Sequence, residues 1–316
     1  MRIKPKLKII TRSKEYNLTD SPLYKINSKR KLAKIINVDF NTLKSLKDDK
    51  MNYSIFDQVS KKGKVRKIQK PVQRLDIVHT RIASLLCRIA TPSYLHSGKK
   101  HHSNITNADV HKNEFNLLTT DIKSFFPSTK RSMVFSFFLT VMKTSPDVAD
   151  ILSHLCTCHN HIPTGSRISM PLAFWANVRM FEELKRLCSN LDITMTVYVD
   201  DITFSGENVN RLFVSCVKKI IVKHGHQMHP TKTKFYNSTA PKLVTGVIVV
   251  SNCLKVRNEQ HQLFANEFEQ WRIIKEEPHA INANITNKLI GRLYSMGVIE
   301  KRFKEKVRTV KNSTAL

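Results

Sequence analysis

The chain has 316 residues, 41% of them hydrophobic, enough to bury a real core in one continuous body with sub-domains. It carries 53 Lys and Arg against 25 Asp and Glu, a formal net charge of +28; such self-repulsion points to a polyanionic partner, nucleic acid first, because each neutralised phosphate releases counterions. No run of about 18 apolar residues could span a bilayer, and with only eight glycines and no Gly-rich phosphate loop a P-loop or dinucleotide-binding protein is unsupported. The six cysteines (Cys87, Cys156, Cys158, Cys188, Cys216, Cys253) make no small disulfide scaffold in a chain of this length. Met1 to Thr11 is basic and lacks an apolar signal core, so a cytoplasmic home and no membrane partner are expected.

Residues 1–27, with Lys4, Lys6, Lys8, Arg12 and Lys14, read as a basic arm that orders on a partner. Ser28 is placed to cap a helix carrying Leu32, Ala33, Ile35 and Ile36, and Asn41 to cap a shorter one. Residues 53–72 predict a β-hairpin turning at Lys61 to Lys64, followed by a helix over 74–89. Phe115 to Thr120 is a short apolar strand that ends at Asp121. Helices are expected over 129–143 and 146–157, and a Pro/Gly loop at 162–166 leads into a long helix over 169–189. Residues 193–205 predict a second hairpin, 208–224 a helix, 242–251 more strand, and 258–276, 280–296 and 299–311 three helices. The last stretch is rich in Lys and Arg, which suits a helix that tracks a phosphate backbone as well as it suits a solvated face. Cys156, Cys158, His159 and His161 are too crowded for a regular zinc site, which uses separated ligand pairs. They read instead as a packed helix end. His101 and His102, beside Lys99 and Lys100, suit a basic loop facing RNA, and Trp175 and Trp271 read as core.

The chemistry is concentrated in carboxylates. In Thr194 to Ser205 two adjacent acids, Asp200 and Asp201, stand among strand-forming residues, which places them at a hairpin tip. Two-residue turns favour Gly or Asn, and Val199-Asp-Asp-Ile202 offers neither. Paired carboxylates among buried apolar groups cost several kcal/mol unless a cation neutralises them. If the strand ending at Asp121 lies beside this hairpin, three carboxylates meet. Such hard oxygen ligands suit Mg²⁺.

The Tyr198-Val-Asp-Asp201 box resembles the catalytic box of reverse transcriptases, and Leu117 to Pro127 is similar to their first palm motif. Ile162 to Pro171 resembles the loop that faces template and nucleotide, in the family's order and spacing. The resemblance implies Asp121, Asp200, Asp201 and the Ile122 carbonyl as ligands of two Mg²⁺ ions, with Mn²⁺ as a substitute. It implies Phe126 as a steric gate against a ribose 2′-OH, a position that core packing would also explain. Arg66 and Lys67 would grip the triphosphate of a dNTP, or template phosphate. Thr164 and Gly165 would face the nucleotide, and Lys232, or Lys234, the leaving group. Thr164 stands where many relatives carry Gln, and Met170 separates Ser169 from Pro171 where Ser-Pro is usual.

Asn107-Ala108-Asp-Val-His111 and Val244-Thr245-Gly246 resemble two signatures of retron reverse transcriptases. They imply RNA contacts by Asn107, His111, Val244, Thr245 and Gly246, with Lys288, Arg292 and Arg302 adding contacts from the basic C-terminal helices. The fold implied is a mixed α/β (α+β) right hand. Fingers would occupy 28–115 and 127–175, the palm 116–126 and 176–250, and a helical basic thumb 255–316. The implied function is an RNA-directed DNA polymerase that starts from an RNA 2′-OH on a cognate structured non-coding RNA. Its product would be branched msDNA, in anti-phage defence with an effector protein. The alternatives are a group II intron-like or abortive-infection reverse transcriptase, and a polymerase-shaped RNA-binding scaffold that regulates an effector.

Overall fold

In the computed structural model the described residues are 7–48, 51–60, 63, 65–275 and 283–313. Helices form where apolar residues recur at helical spacing and a cap starts them. The Ser28 hydroxyl accepts the Lys31 N–H and opens α1 (Lys29–Ile36), which buries Leu32, Ala33 and Ile36. α2 (Phe40–Asp48) follows, then the hairpin β1 (Tyr53–Val59) and β2 (Val65–Pro71), then α3 (Gln73–Leu86). The turn expected at 61–64 lies outside the described residues except for Gly63.

α4 (Asn104–Asp109) precedes β3 (Leu117–Asp121). α5 (Phe125–Ser128), α6 (Arg131–Ser136) with a π-turn over Phe137–Val141, and α7 (Pro146–Leu155) come next. The long helix expected over 169–189 is broken into α8 (Ser169–Ala176) and α9 (Val178–Ser189). Between them buried Asn177 donates to the Thr129 hydroxyl at 3.0 Å and accepts from His226 Nε2 at 2.7 Å. A tertiary bond from a side chain that favours turns outcompetes helix continuity here.

β4 (Thr194–Tyr198) and β5 (Asp201–Ser205) form the second hairpin, followed by α10 (Arg211–Lys223) and β6 (Lys234–Tyr236). These strands and β3 make a four-stranded antiparallel sheet in the order β4-β5-β3-β6. One main core lies under this sheet and takes in α1 to α3, α6 to α10 and part of the N-terminal segment. β7 (Lys242–Val244), β8 (Val247–Val250) and β9 (Cys253–Lys255) form a smaller sheet. Val244, Val247 and Val249 of that sheet pack on Ala108 and Leu117. Among the described residues no helix is long and apolar enough to cross a membrane.

Two readings of the sequence change. Residues 7–27 pack on the body. Tyr16 pairs its backbone with Arg88 and Ala90, and Leu23 and Ile26 are fully buried. The apolar residues interleaved with the lysines carry this packing; Lys4 and Lys6 lie outside the described residues. The C-terminal helices α11 (Asn258–Lys275), α12 (Ala283–Ile299) and α13 (Arg302–Ser313) form their own core around Trp271, Leu289, Leu293 and Phe303. Inside it Glu267, 3% exposed, takes a two-pronged bond from Arg292 (2.5 and 2.7 Å) and a second cation, Lys288, at 3.1 Å. Arg292 is therefore committed to its own helix bundle instead of projecting toward RNA. Glu267→Leu leaves the Arg292 guanidinium without its counter-charge and should cost about 3 kcal/mol, read as a lowered midpoint in urea unfolding.

Candidate active site

The sheet places the three acids together by register. Asp121 closes β3 and lies directly opposite Asp201, the first residue of β5. The Ile122 N–H donates to the Asp200 carbonyl at 2.9 Å, which ties the two segments at the point where their side chains converge. Directly opposed residues share a face of the sheet, and like charges so placed repel. The tip of the hairpin is Val199-Asp200; Asp201 already pairs with Tyr198 in the ladder. Val199 sits at φ +60°, a left-handed conformation that is costly for a β-branched residue, on the order of 1–3 kcal/mol. It is held there by Ser97, whose hydroxyl accepts the Val199 N–H at 3.0 Å. The Tyr94–His96 segment also runs along β4, exchanging backbone bonds with Val197.

The electrostatics follow from burial and crowding. The Asp201 carboxyl is pushed up to about 6, by burial first and then by Asp200 and Asp121, with Lys232 pulling the other way. Asp200 is raised by burial and by Asp121, against the pull of Lys232 and Arg66. Lys232 donates to Asp121 Oδ2 at 2.5 Å and is held more basic by that bond. Three carboxylates against one ammonium leave a deficit of two positive charges, and the donors are hard oxygens. That set fits a divalent cation such as Mg²⁺. Asp121 and Asp201, opposed across the ladder, and Asp200 beside them, with the Ile122 carbonyl at the same strand end, are the donors such an ion would use, although among the described residues no three His, Cys, Asp or Glu side chains are already drawn together as a metal-binding group.

Around the acids the other expected residues divide into three groups. Arg66 and Lys67 are exposed on β2. The Thr164 hydroxyl donates to the Lys67 carbonyl at 2.6 Å, so it fastens the hairpin to the 162–166 loop. A Cβ on Gly165 would stand 2.9 Å from the Gln69 carbonyl and 2.8 Å from Ile68, so only glycine permits that approach. Phe126 on α5 is half-buried, its ring centroid 6.0 Å from that of Phe125, which lets it pack and still present a face.

The two signature segments meet each other. Asn104 Nδ2 donates to the Thr245 carbonyl at 3.1 Å, the Thr245 hydroxyl donates back to the Asn104 carbonyl at 2.8 Å, and Asn107 Nδ2 reaches the Thr245 hydroxyl at 3.5 Å. His111 is fully buried, bonded to the Ser205 and Thr196 hydroxyls at 2.7 Å each. Asn107 (1% exposed) and Val244 (0%) are interior as well. The expected RNA contacts by Asn107, His111 and Val244 are thus corrected: these side chains face protein. Thr245 and Gly246 do reach the surface, in a cavity of about 360 Å³ that Asp201, Lys232 and Tyr198 also line. On the C-terminal helices Lys288 and Arg302 are exposed, each beside one glutamate, Glu267 and Glu300.

Sequence reasoning missed the supports. Buried His79 bonds the Ser166 hydroxyl at 2.6 Å and the Leu155 carbonyl at 2.7 Å, which fixes the 162–166 loop on α3. His226 joins Ser128 (2.8 Å) to Asn177 under α5. His79 falls at helical spacing with Leu75 and Ile82 on the apolar face of its helix, which was the signal for it; nothing local marked Ser97.

No protein-family model matches the chain. It is 30% identical over 231 residues to the retron Se72 reverse transcriptase of Salmonella heidelberg, an alignment covering 69% of this chain and 60% of that protein. It is 22% identical over 254 residues to the retron Ec86 reverse transcriptase of Escherichia coli, covering 78% and 79%. The chain therefore spans about 60% of the Se72 protein's length. Among solved structures it superposes on apo telomerase from Candida tropicalis, truncated from the C-terminal domain, with a TM-score of 0.50 and 12% identity over 65% of this chain and 55% of that one. This likeness is one of fold, the right-hand polymerase fold.

Proposed function

We propose that this chain, which belongs to the retron-type reverse transcriptase family, is an RNA-directed DNA polymerase. The observation that carries the reading is the meeting of Asp121, Asp200 and Asp201 on one sheet, beside a basic hairpin. Fingers at 28–115 and 127–175, palm at 116–126 and 176–250 and a thumb at 255–316 are the corresponding divisions. Asp121, Asp200, Asp201 and the Ile122 carbonyl would hold two Mg²⁺ ions, with Mn²⁺ as a substitute. Bound there, the ions would supply charge stabilisation for the attacking hydroxyl and the leaving pyrophosphate. Arg66 and Lys67 hold the dNTP triphosphate, and the Thr164 bond keeps their strand in place. Lys232, bonded to Asp121, offers its charge toward the leaving phosphate. Thr245 and Gly246 form a wall beside Asp201 against which the priming nucleotide rests.

The finer reading is a retron: priming from the 2′-OH of a guanosine in a cognate structured non-coding RNA, branched msDNA as product, and anti-phage defence with an effector protein. It is supported by the retron relatives and by the joint packing of the Asn-Ala-x-x-His and Val-Thr-Gly segments. The test is to express the chain with its flanking RNA and isolate RNase-resistant small DNA. DNA joined to RNA by a debranching-sensitive bond supports the retron reading. Unbranched DNA keeps the polymerase and removes the retron, and RNA binding without DNA synthesis leaves the scaffold. With Phe126→Val the preference for dNTP over rNTP, as a ratio of kcat/KM, should fall by roughly 10- to 100-fold, since one face of a ring does the excluding. An unchanged ratio would make Phe126 a packing residue only.

A further inference from the structure

A cavity of about 610 Å³ opens between residues 9–15, the end of α3, the 91–101 loop and the start of α8. Its size is that of a small-ligand pocket. Its floor is apolar and aromatic, made by Leu95, Met170, Phe174 and Trp175. Its lining also brings Lys14, Lys99, Lys100 and His101 together, against the single acid Glu15. None of the three lysines is in a salt bridge among the described residues, so their charge is not spent inside the protein. The loop closes tightly on the floor: Gly98 has φ +65°, and a Cβ there would lie 2.6 Å from the Met170 methyl.

The cavity is also coupled to the acids. Ser97, which lines it, is the residue whose hydroxyl holds the strained Val199 N–H next to Asp200. A wall of the cavity and the support of the catalytic turn are thus one residue.

We infer that this cavity binds one unpaired nucleotide of single-stranded RNA. The base lies on the apolar floor and the flanking phosphates lie on the Lys99–His101 side. An aromatic floor suits any base, because every base offers a flat apolar face, and lysines beside it suit the backbone that must enter and leave. A free anion would have no use for the floor, and an apolar ligand none for the cations. The inference rests on the nucleic-acid function proposed above and adds a site to it, away from the three carboxylates.

The chain has two tryptophans, so Trp271→Phe leaves Trp175 as the sole emitter. In that background the probes are an unstructured RNA hexamer, AMP and inorganic phosphate. The hexamer and AMP should change Trp175 emission saturably and phosphate should not. Lys99→Glu with Lys100→Glu should weaken the hexamer at least tenfold, and Thr91→Phe, which fills the cavity from its lining, should abolish the AMP response. A response reproduced by phosphate alone, or by an acidic peptide, overturns the nucleotide assignment. A hexamer that binds in a gel shift with unchanged emission overturns the pocket and leaves the polymerase reading standing. Loss of all RNA binding overturns both.

Discussion

Asp200→Asn combined with Asp201→Asn is expected to abolish DNA synthesis, by roughly 10³-fold or more, while making the metal-free protein harder to melt at pH 7. The first half follows because a divalent ion supplies several kcal/mol of charge stabilisation and these carboxylates are its anchors. The second half follows because the same carboxylates are buried against one another. Both are raised above their ordinary range, Asp201 to about 6. An acid whose folded pKa is raised favours the folded state below its unfolded pKa, and that contribution is lost as pH rises through the folded value. Wild type and variant should therefore melt alike near pH 4. They should part between pH 4 and 6, with the variant ahead by pH 7 by on the order of 2 kcal/mol from Asp201. Added Mg²⁺ should stabilise the wild type by mass action and leave the variant unmoved. Calorimetric melting across pH, with and without Mg²⁺, checks all of this. A variant that melts lower at pH 7 would show that the acids are held by favourable contacts and not by a missing cation.

The acids were legible in the sequence because their signal is local. Strand-forming Thr, Val, Ile and Phe flank them, and two adjacent charges in such a run have few structural uses. The hairpin at 53–72 and the strand at Asp121 were legible for the same reason. The break at Asn177 was not, since the bond that ends the helix comes from His226, 49 residues on. Val199 shows a different limit. The sequence revealed that the turn lacked Gly or Asn, but not that Val199 itself takes the left-handed position, nor that Ser97, 102 residues earlier, secures it. Arg292 looked like one more cation on a basic helix until a buried glutamate appeared beside it. Charge can be counted in a sequence; whether it is spent internally depends on packing.

His111→Phe is the second large effect, and it separates two meanings of a signature residue. His111 sits between Thr196 on β4 and Ser205 on β5, the strands that present Asp200 and Asp201. Burial holds the imidazole neutral, pushing it down to about 3, so one ring nitrogen donates to a hydroxyl and the other accepts from one. Phenylalanine keeps a flat ring, larger than imidazole, and leaves two hydroxyls buried with one partner fewer each, an expected cost of about 3 kcal/mol. His111→Gln, which keeps a donor and an acceptor, should recover part of it. A histidine with a depressed folded pKa contributes stability that is complete above its unfolded value, near 6.5, and is lost as pH falls toward the folded one. The gap between wild type and His111→Phe should accordingly be widest above pH 6.5 and shrink toward pH 3. Melting without RNA decides between the two meanings. If His111 were an RNA contact, the variant would melt like the wild type and bind RNA less well. If the hairpin depends on it, the melting temperature falls with no RNA present, and DNA synthesis falls because Asp200 and Asp201 lose the platform that aligns them.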